Sequence, residues 1–230
     1  MQLRCLSMVP AIIALVGCGS AAPPVEPVET SATEVAAEQP VMGPERRILA
    51  FGNSLFAGYN VDIENSYPSK LENSLRAKGI NARVSNAGVS GDTTAAGLQR
   101  LNFTLDAQET KPELFILELG GNDLLRGIQP AETRANIEVM LTELNGRDIP
   151  VLLMGMRAPP NFGELQTDFD ELYASLAAEY DAELVPFFME SIYDKPELIQ
   201  PDRIHPTEDG IETLVAATVT AVQAALPEAK

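Results

Sequence analysis

The sequence predicts an α/β domain with a five-stranded parallel sheet. Five short apolar runs begin 32 to 37 residues apart, which is the length of a strand followed by a crossover helix. The segments between these runs carry apolar residues at helical spacing. Because strands that alternate with helices form a parallel sheet covered on both faces, we expect helices on both sides of the sheet.

The predicted strands and helices follow one another in a regular order. Helical spacing relates Ile137 to Leu144, and the last helix is expected to begin near Thr207. Pro186 has no backbone N–H for a sheet hydrogen bond, so the last strand should end there, at an edge of the sheet. The five predicted strands lie at residues 48–51, 82–85, 114–119, 151–154 and 184–187.

Residues 1–17 have the features of an export signal. Arg4 provides a positive charge, residues 8–16 are apolar, and small residues follow. The apolar stretch is too short to span a bilayer as a helix. The residues before Cys18 match the bacterial lipoprotein processing pattern, which predicts lipidation of Cys18. We therefore expect an exported lipoprotein on the periplasmic side, with the outer membrane favoured; a plain secretory signal is the alternative.

Residues 18–46 are a predicted disordered tether between the lipidated cysteine and the folded domain. Five prolines alternate with Ala, Ser, Thr and five glutamates, without apolar periodicity. Such a segment buries too little surface to offset its ordering entropy. The remaining residues, 47–230, are enough for one domain with a full core.

Composition excludes several kinds of partner and site. Both cysteines, Cys5 and Cys18, lie in or directly after the export signal, so the domain has no thiolate for a metal and no disulfide. A single histidine excludes a histidine-rich metal site. The net charge of −17 argues against nucleic acid as a partner and against unassisted adsorption to anionic lipid.

The only histidine, His205, is the candidate general base. Imidazole is the side chain that exchanges protons near neutral pH without perturbation. Asp202 lies three residues earlier and Pro206 follows, so the carboxylate can reach Nδ1 and leave Nε2 free to act. The alternative is that Asp202 merely caps the last helix.

Ser54 is the candidate nucleophile. It follows the first strand, where a helix is expected to begin and backbone N–H groups face bound anions. An N-cap serine without a catalytic role is the alternative. The chain lacks the G-x-S-x-G elbow at this position, so the large α/β-hydrolase class is not supported.

Two glycine-containing loops follow the second and third strands and offer candidate oxyanion donors. Gly91 lies in GVSGDT and Asn122 lies in GGND. Backbone N–H groups and amide side chains are the donors that an oxyanion hole uses. Each loop alone also fits an ordinary tight turn. Because the carboxyl ends of parallel strands share one edge, we expect both loops to meet Ser54 and His205 there.

Together these segments resemble the four signature blocks of the SGNH, or GDSL-type, esterase and lipase superfamily. The blocks appear in order, with Ser54 in GNSLFAGY, Gly91 in NAGVSGDT, Asn122 in LELGGND and His205 in DRIHP. The stretches at 124–127 and 185–190 are further similar to the bacterial multifunctional acyl-CoA thioesterase, lysophospholipase and arylesterase branch. The resemblance covers nearly the whole domain.

The resemblance implies a flavodoxin-like three-layer α/β/α fold and hydrolysis of carboxylic esters through an acyl-serine. Ser54 would attack, His205 would take its proton, and Asp202 would orient the imidazole. The oxyanion would be held by the backbone N–H groups of Ser54 and Gly91 and by the side chain of Asn122. No metal or cofactor is required. The expected partners of this monomer are the membrane, through Cys18, and small acyl esters, aryl esters, thioesters or lysophospholipids.

Asn53 departs from the family pattern, which has aspartate before the nucleophile. Asparagine is nearly isosteric with aspartate and forms hydrogen bonds at a turn, but it carries no charge. Since the triad carboxylate is that of Asp202, we expect activity to survive this difference, and we expect Asn53→Asp to change activity less than tenfold.

A substrate pocket is expected by analogy with the same branch. Residues 124–129 are a candidate mobile rim. An apolar slot discriminates acyl length by only about 1–3 kcal/mol per methylene, so a broad range of substrates is expected. The predicted pocket residues are Leu124, Leu125, Arg126, Arg157, Ala158, Pro159 and Phe162.

Two other functions compete with the esterase. One is an O-deacetylase of envelope glycans, which the similarity of 185–193 to the thioesterase branch disfavours. The other is a catalytically silent lipoprotein that binds lipid or a protein partner. The joint presence of the five site residues weighs against that second alternative.

Overall fold

The structure of the protein is a computed structural model that describes residues 41–159 and 163–228. The predictions made for the export signal, for lipidation of Cys18 and for most of the tether lie outside the described residues. The same holds for Phe162, the last of the predicted pocket residues.

Five parallel strands form one sheet in the order β2-β1-β3-β4-β5. This confirms the predicted α/β class and five-stranded parallel sheet. The order is the one found in flavodoxin-like folds, where ligands bind beside the carboxyl ends of β1 and β3. The strands are β1 (Arg46–Gly52), β2 (Ala82–Gly88), β3 (Leu114–Glu118), β4 (Val151–Met154) and β5 (Glu183–Val185).

Helices cover the sheet and complete three layers. α2 packs against α7, while α5 packs against both α3 and α6. Right-handed crossovers in this strand order place these two groups on opposite faces of the sheet. No helix within the described ranges is long and apolar enough to cross a membrane. The helices are α1 (Ser54–Ala57), α2 (Tyr67–Ala77), α3 (Thr94–Asp106), α4 (Gly121–Leu125), α5 (Pro130–Gly146), α6 (Glu164–Tyr180) and α7 (Glu208–Ala225).

The strand ends differ slightly from the predicted ones. β5 stops at Val185, directly before Pro186, and lies at the edge of the sheet as predicted. β2 continues to Gly88, three residues beyond the predicted apolar run, because Asn86 still pairs with Ala50 of β1. The Asn86 side chain donates to the backbone carbonyl of Phe56, 2.9 Å away, so the polar end of β2 supports α1.

An aromatic cluster fixes the short helix that follows β1. The Phe56 ring of α1 stacks on the Tyr67 ring at a centroid distance of 5.0 Å. Phe188 meets both rings edge-on, at 5.7 Å from Phe56 and 5.0 Å from Tyr67. The Tyr67 hydroxyl lies 2.7 Å from Thr218 Oγ1 of α7. All three rings are fully buried, so α1 is held by packing rather than by its own four residues.

Candidate active site

Ser54 is the first residue of α1, directly after β1. The N-cap is Asn53, whose side-chain oxygen accepts from the Leu55 N–H, so Ser54 itself is not the capping residue. Beside it, Gly88 ends β2 so close to α1 that an added Cβ would lie 2.3 Å from the Ala57 nitrogen. A glycine is therefore required where the loop that carries Gly91 leaves the sheet.

Asp202, His205 and Ser54 form one continuous hydrogen-bonded chain. His205 Nε2 lies 2.8 Å from Ser54 Oγ. His205 Nδ1 lies 2.7 Å from Asp202 Oδ2. A neutral imidazole with its proton on Nδ1 donates to the carboxylate and accepts from the serine hydroxyl. This is the arrangement that activates a serine for attack on a carbonyl.

The loop before α7 holds Asp202 and His205 in place. Asp202 Oδ1 accepts from the backbone N–H groups of Ile204 and His205, at 2.9 and 3.1 Å. Arg203 adopts a left-handed φ of 63°, which folds the loop back on Asp202. Thr207 caps α7, so the alternative in which Asp202 caps that helix does not describe the structure.

The environment of Asp202 keeps its carboxylate charged. Burial acts to raise its pKa, but hydrogen bonds from the His205 ring and from two backbone N–H groups outweigh burial and lower the pKa to about 2. The Tyr59 ring stacks on the imidazole ring of His205, with ring centroids 4.2 Å apart. The charged carboxylate and the stacked ring together orient His205.

The predicted oxyanion donors converge on the same edge of the sheet. In the described part of the chain, the backbone N–H groups of Ser54 and Gly91 donate to no protein acceptor. Gly91 has a left-handed φ of 87°. The Asn122 amide donates one hydrogen to the Asp92 carbonyl at 2.8 Å, which leaves its second hydrogen available. Backbone N–H and amide donors left free at the carboxyl ends of the strands are the kind of groups that an oxyanion hole requires.

A match to a known family agrees with this geometry. Residues 50–212 match the GDSL-like lipase/acylhydrolase family, a span that contains Ser54, Gly91, Asn122, Asp202 and His205. The chain belongs to the GDSL-like lipase/acylhydrolase family. This GDSL-like hydrolase is a carboxylic ester hydrolase.

Named relatives of this GDSL-like hydrolase are esterases. It is 41% identical to an arylesterase of Vibrio mimicus over 161 residues, which cover 70% of this chain and 80% of that protein. It is 39% identical over 163 residues to thioesterase 1/protease 1/lysophospholipase L1 of Escherichia coli strain K12, covering 70% of this chain and 76% of that protein. The solved structure of AlinE4, an SGNH-hydrolase family esterase, is 63% identical, with a TM-score of 0.69 over 81% of this chain and 100% of that chain.

A cavity of about 240 Å³ opens beside Ser54 of the GDSL-like hydrolase. Its wall contains Ser54 and Asn122 together with two arginines, Arg157 and Arg203, and no carboxylate. Most of the wall is apolar, which fits an acyl chain or an aromatic ring. The apolar lining residues are Leu55, Leu124, Leu125, Met156, Phe187, Met189, Tyr193, Ile199 and Ile204.

The predicted pocket residues occupy different places. Leu124, Leu125 and Arg157 line the cavity. The Arg126 side chain instead donates to the Gly91 carbonyl at 2.8 Å, so it supports the neighbouring loop. Ala158 is buried outside the lining, and its N–H donates to the Asp170 carboxylate at 3.2 Å. Pro159 does not belong to the lining formed by the described residues.

Sequence reasoning missed half of the cavity wall. Leu55 lies in α1, Met156 follows β4, and the others lie between β5 and α7, in a segment without regular periodicity. The similarity of 185–190 to the thioesterase branch was a signal for this region, but it assigned no pocket role to any residue. The residues missed are Leu55, Met156, Phe187, Met189, Tyr193, Ile199, Arg203 and Ile204.

Asn53 also has a partner that the sequence does not reveal. Its Nδ2 donates to Glu118 Oε1 at 2.8 Å, and its backbone N–H donates to Glu118 Oε2 at 3.1 Å. Glu118 is the last residue of β3 and is fully buried. Burial raises its pKa to about 8, although the two hydrogen bonds from Asn53 act in the opposite direction.

Proposed function

We propose that this GDSL-like hydrolase cleaves acyl esters of short to medium chain length, and aryl esters, through an acyl-serine formed on Ser54. The observation that carries the proposal is the unbroken chain from Asp202 through His205 to Ser54, which opens onto an apolar cavity. The names of the relatives extend the substrate class to thioesters and lysophospholipids.

The mechanism follows from the positions of the donors. Ser54 Oγ attacks the ester carbonyl carbon while its proton passes to His205 Nε2. The negative charge on the carbonyl oxygen is held by the N–H groups of Ser54 and Gly91 and by the Asn122 amide. The C–O bond to the alcohol then breaks, and the alcohol leaves with the proton from His205.

Water completes the cycle by the same steps. His205 removes a proton from a water molecule, which attacks the acyl-serine carbonyl and forms a second oxyanion. Collapse of this intermediate releases the carboxylic acid and returns the proton to Ser54. Asp202 keeps its charge throughout and stabilises the imidazolium present in both steps.

The proposal includes a place for the enzyme in the cell envelope. We infer that Cys18 carries a lipid and that the residues from Cys18 to the start of β1 at Arg46 tether the domain on the periplasmic side, with the outer membrane favoured. An exported enzyme seldom meets acyl-CoA, so esters and lysophospholipids are the favoured substrates. Metabolic labelling with a fatty-acid analogue tests the anchor: label should enter the full chain and be absent from Cys18→Ser, whereas equal labelling would contradict it.

The substrate proposal is tested by hydrolysis of p-nitrophenyl esters from acetate to laurate. We expect turnover to peak at a short to medium acyl length and to vanish in Ser54→Ala. Ser74→Ala, which changes a serine on α2, should leave turnover unchanged. Turnover of acetate alone would favour a deacetylase, and no turnover by folded protein would favour the silent lipoprotein. Light scattering on the same samples tests the expected monomer.

A further inference from the structure

We infer that Glu118 is a positioning residue for the nucleophile and acts through Asn53. Because residue 53 is asparagine, this support does not need the shared proton that a pair of carboxyl groups would require. The inference rests on the proposed function of Ser54. Neither Asn53 nor Glu118 takes part in the steps described above, yet both are buried directly behind the nucleophile, with exposed fractions of 2% and 0%.

The contacts fix the orientation of the Asn53 amide. Its Oδ1 accepts from the Leu55 N–H at 3.0 Å and lies 3.4 Å from Ser54 Oγ. Its Nδ2 must therefore face away from α1, toward Glu118 Oε1 at 2.8 Å. One side of Asn53 thus holds the first turn of the helix that carries Ser54, and the other side is held by Glu118.

Glu118 has no room to move away. It pairs in register with Gly52, the residue before Asn53, across β1 and β3. A Cβ added at Gly52 would lie 2.8 Å from Glu118 Oε2 and 2.8 Å from the Phe56 ring. The carboxyl group is enclosed between the backbone of β1 and α1, so it cannot turn away from Asn53.

The contact between the side chains of residue 53 and Glu118 needs a hydrogen between them. An aspartate at position 53 would place a carboxyl oxygen about 2.8 Å from Glu118 Oε1, where two acceptors repel unless they share a proton. Asparagine supplies a hydrogen at the same place that cannot dissociate. The oxygens of Glu118 accept from Asn53 whether or not Glu118 is ionised, so the support persists across its titration.

Other charged and titratable groups near Glu118 do not replace Asn53. Tyr173 of α6 donates its hydroxyl to a backbone carbonyl at 2.8 Å. Burial, followed by the charges of Glu118 and Asp123, raises the pKa of Tyr173. Asp123 of α4 is held by threonines of α3 and α5, and Arg100 of α3 donates to the Gly52 carbonyl at 3.0 Å. Within the described residues, only Asn53 forms hydrogen bonds with the Glu118 carboxyl group.

The experiment compares Asn53→Asp, Glu118→Gln and the double variant with the wild-type chain. In Glu118→Gln, the new amide has one oxygen that can accept, whereas Asn53 presents two donors, its backbone N–H and Nδ2. One donor of Asn53 therefore loses its acceptor, and kcat should fall about 10- to 100-fold. In the double variant, the new glutamine donates to the new aspartate and accepts from the backbone N–H at position 53. All contacts are then paired again, and kcat should return to within about threefold of wild type.

The pH dependence separates positioning from a general loss of stability. Asn53→Asp should keep activity within about tenfold at pH 7, because one proton can bridge the two carboxyl groups. As the pH rises, that proton is lost, the carboxylates repel, and kcat/KM should fall on the alkaline side. The wild type and the double variant should lack this additional alkaline loss, since neither places two carboxyl groups in contact.

Controls make each outcome decisive. Glu132→Gln, an exposed site on α5, should behave as wild type, and thermal unfolding of each variant should show that it is folded. Equal kcat values and equal pH profiles in all variants of an active enzyme would overturn the inference alone. Failure of the double variant to recover activity would also overturn it. Absence of turnover in the wild type would instead overturn the proposed function, and the inference with it.

Discussion

Each hydrogen bond among the polar side chains that support Ser54 has a fixed direction from donor to acceptor. Asp202 only accepts, His205 passes a proton between its two partners, and Asn53 accepts on one side while donating on the other. A substitution that preserves shape but reverses one of these directions should therefore impair the reaction more than the fold.

Asp202→Asn tests the direction of the hydrogen bond to the imidazole. The new amide removes the charge and can hold His205 in the wrong tautomer, so kcat should fall about 10³- to 10⁴-fold with a smaller change in KM. Steady-state kinetics on p-nitrophenyl esters measure this loss. Asp194→Asn, at an exposed position nearby, is the matched control and should be neutral. A loss of less than tenfold in Asp202→Asn would argue against the proposed triad.

The raised pKa of Glu118 makes the unfolding free energy of the protein depend on pH. Its carboxyl pKa is about 8 in the folded protein, against 4.5 without burial, so the folded state holds this proton longer than the unfolded state. The contribution of this proton to the unfolding free energy is complete below about pH 4.5. It is lost as the pH rises toward 8, by at most about 1.4 kcal/mol per pH unit.

Denaturant unfolding of the wild type and of Glu118→Gln between pH 4.5 and 8 measures this effect. The decline with pH should be shallower in the variant, and Glu132→Gln should retain the wild-type slope. The contribution of Asp202 to the unfolding free energy has the opposite pH dependence. Because its pKa is lowered, the carboxylate stabilises the fold above about pH 3.8, and this contribution is lost as the pH falls toward 2. Parallel curves for Glu118→Gln and the wild type would contradict the assignment to Glu118.

Among the α-helices of the described residues, the shortest, α1, carries the proposed nucleophile Ser54. α1 has four residues and depends on the aromatic cluster around Phe56 and on the closely packed end of β2. An element this short cannot stabilise itself, so its neighbours determine where Ser54 points.

Gly88→Ala tests this dependence. The added Cβ would lie 2.3 Å from the Ala57 nitrogen, a backbone atom, so α1 or β2 must shift. We expect a loss of about 1–3 kcal/mol in unfolding free energy together with a fall in kcat. Gly146→Ala is the control, because no atom lies within 4 Å of a Cβ added there. Unchanged kinetics in Gly88→Ala would show that α1 does not need this contact.

The elements also show what the sequence could predict. The spacing of apolar runs predicted all five strands, because period and length are local properties. The pairing of Asp202 with His205 was predictable for the same reason, since the two residues are three positions apart. The contact between His205 and Ser54 joins residues 151 positions apart. It was expected from the shared edge of the parallel strands and from the family resemblance, and not from any local pattern.

Other parts of the site could not be predicted. α1 and α4 have four and five residues, too few for a periodic signal. The cavity residues between β5 and α7 lie in irregular structure, where no pattern tells which side chains face inward. Glu118 ends a strand that is otherwise entirely apolar, and its partner becomes clear only when β1 and β3 are aligned.

Across the whole molecule, the charge of the cavity opposes the charge of the chain. The net charge is −17, yet the cavity wall has two arginines and no carboxylate. The Arg157 guanidinium lies over the Phe187 ring at 5.0 Å and 3.8 Å from Asp170. Arg203 has no ion pair within the described residues and shares a loop with His205, which protonates the leaving alcohol in the proposed mechanism. An anionic leaving group would meet this arginine.

Arg203→Gln should reduce kcat/KM about 3- to 10-fold for an acyl ester whose leaving group is 4-hydroxybenzoate. For the same acyl ester of methyl 4-hydroxybenzoate, whose leaving group lacks the carboxylate, kcat/KM should change little. The two substrates differ by one negative charge and one methyl group, both on the leaving group. Arg83→Gln, at an exposed position on β2, is the control for a general change in net charge. Equal effects on both substrates would show that Arg203 does not select for charge.

The stacking of Tyr59 on His205 also makes the enzyme its own optical probe. The chain contains five tyrosines and no tryptophan, so tyrosine emission is not masked by a brighter fluorophore. The Tyr59 ring lies 4.2 Å from the imidazole, where a change from neutral to cationic ring alters its quenching. The difference in emission between the wild type and Tyr59→Phe thus follows the protonation of the catalytic imidazole directly, without substrate and during turnover.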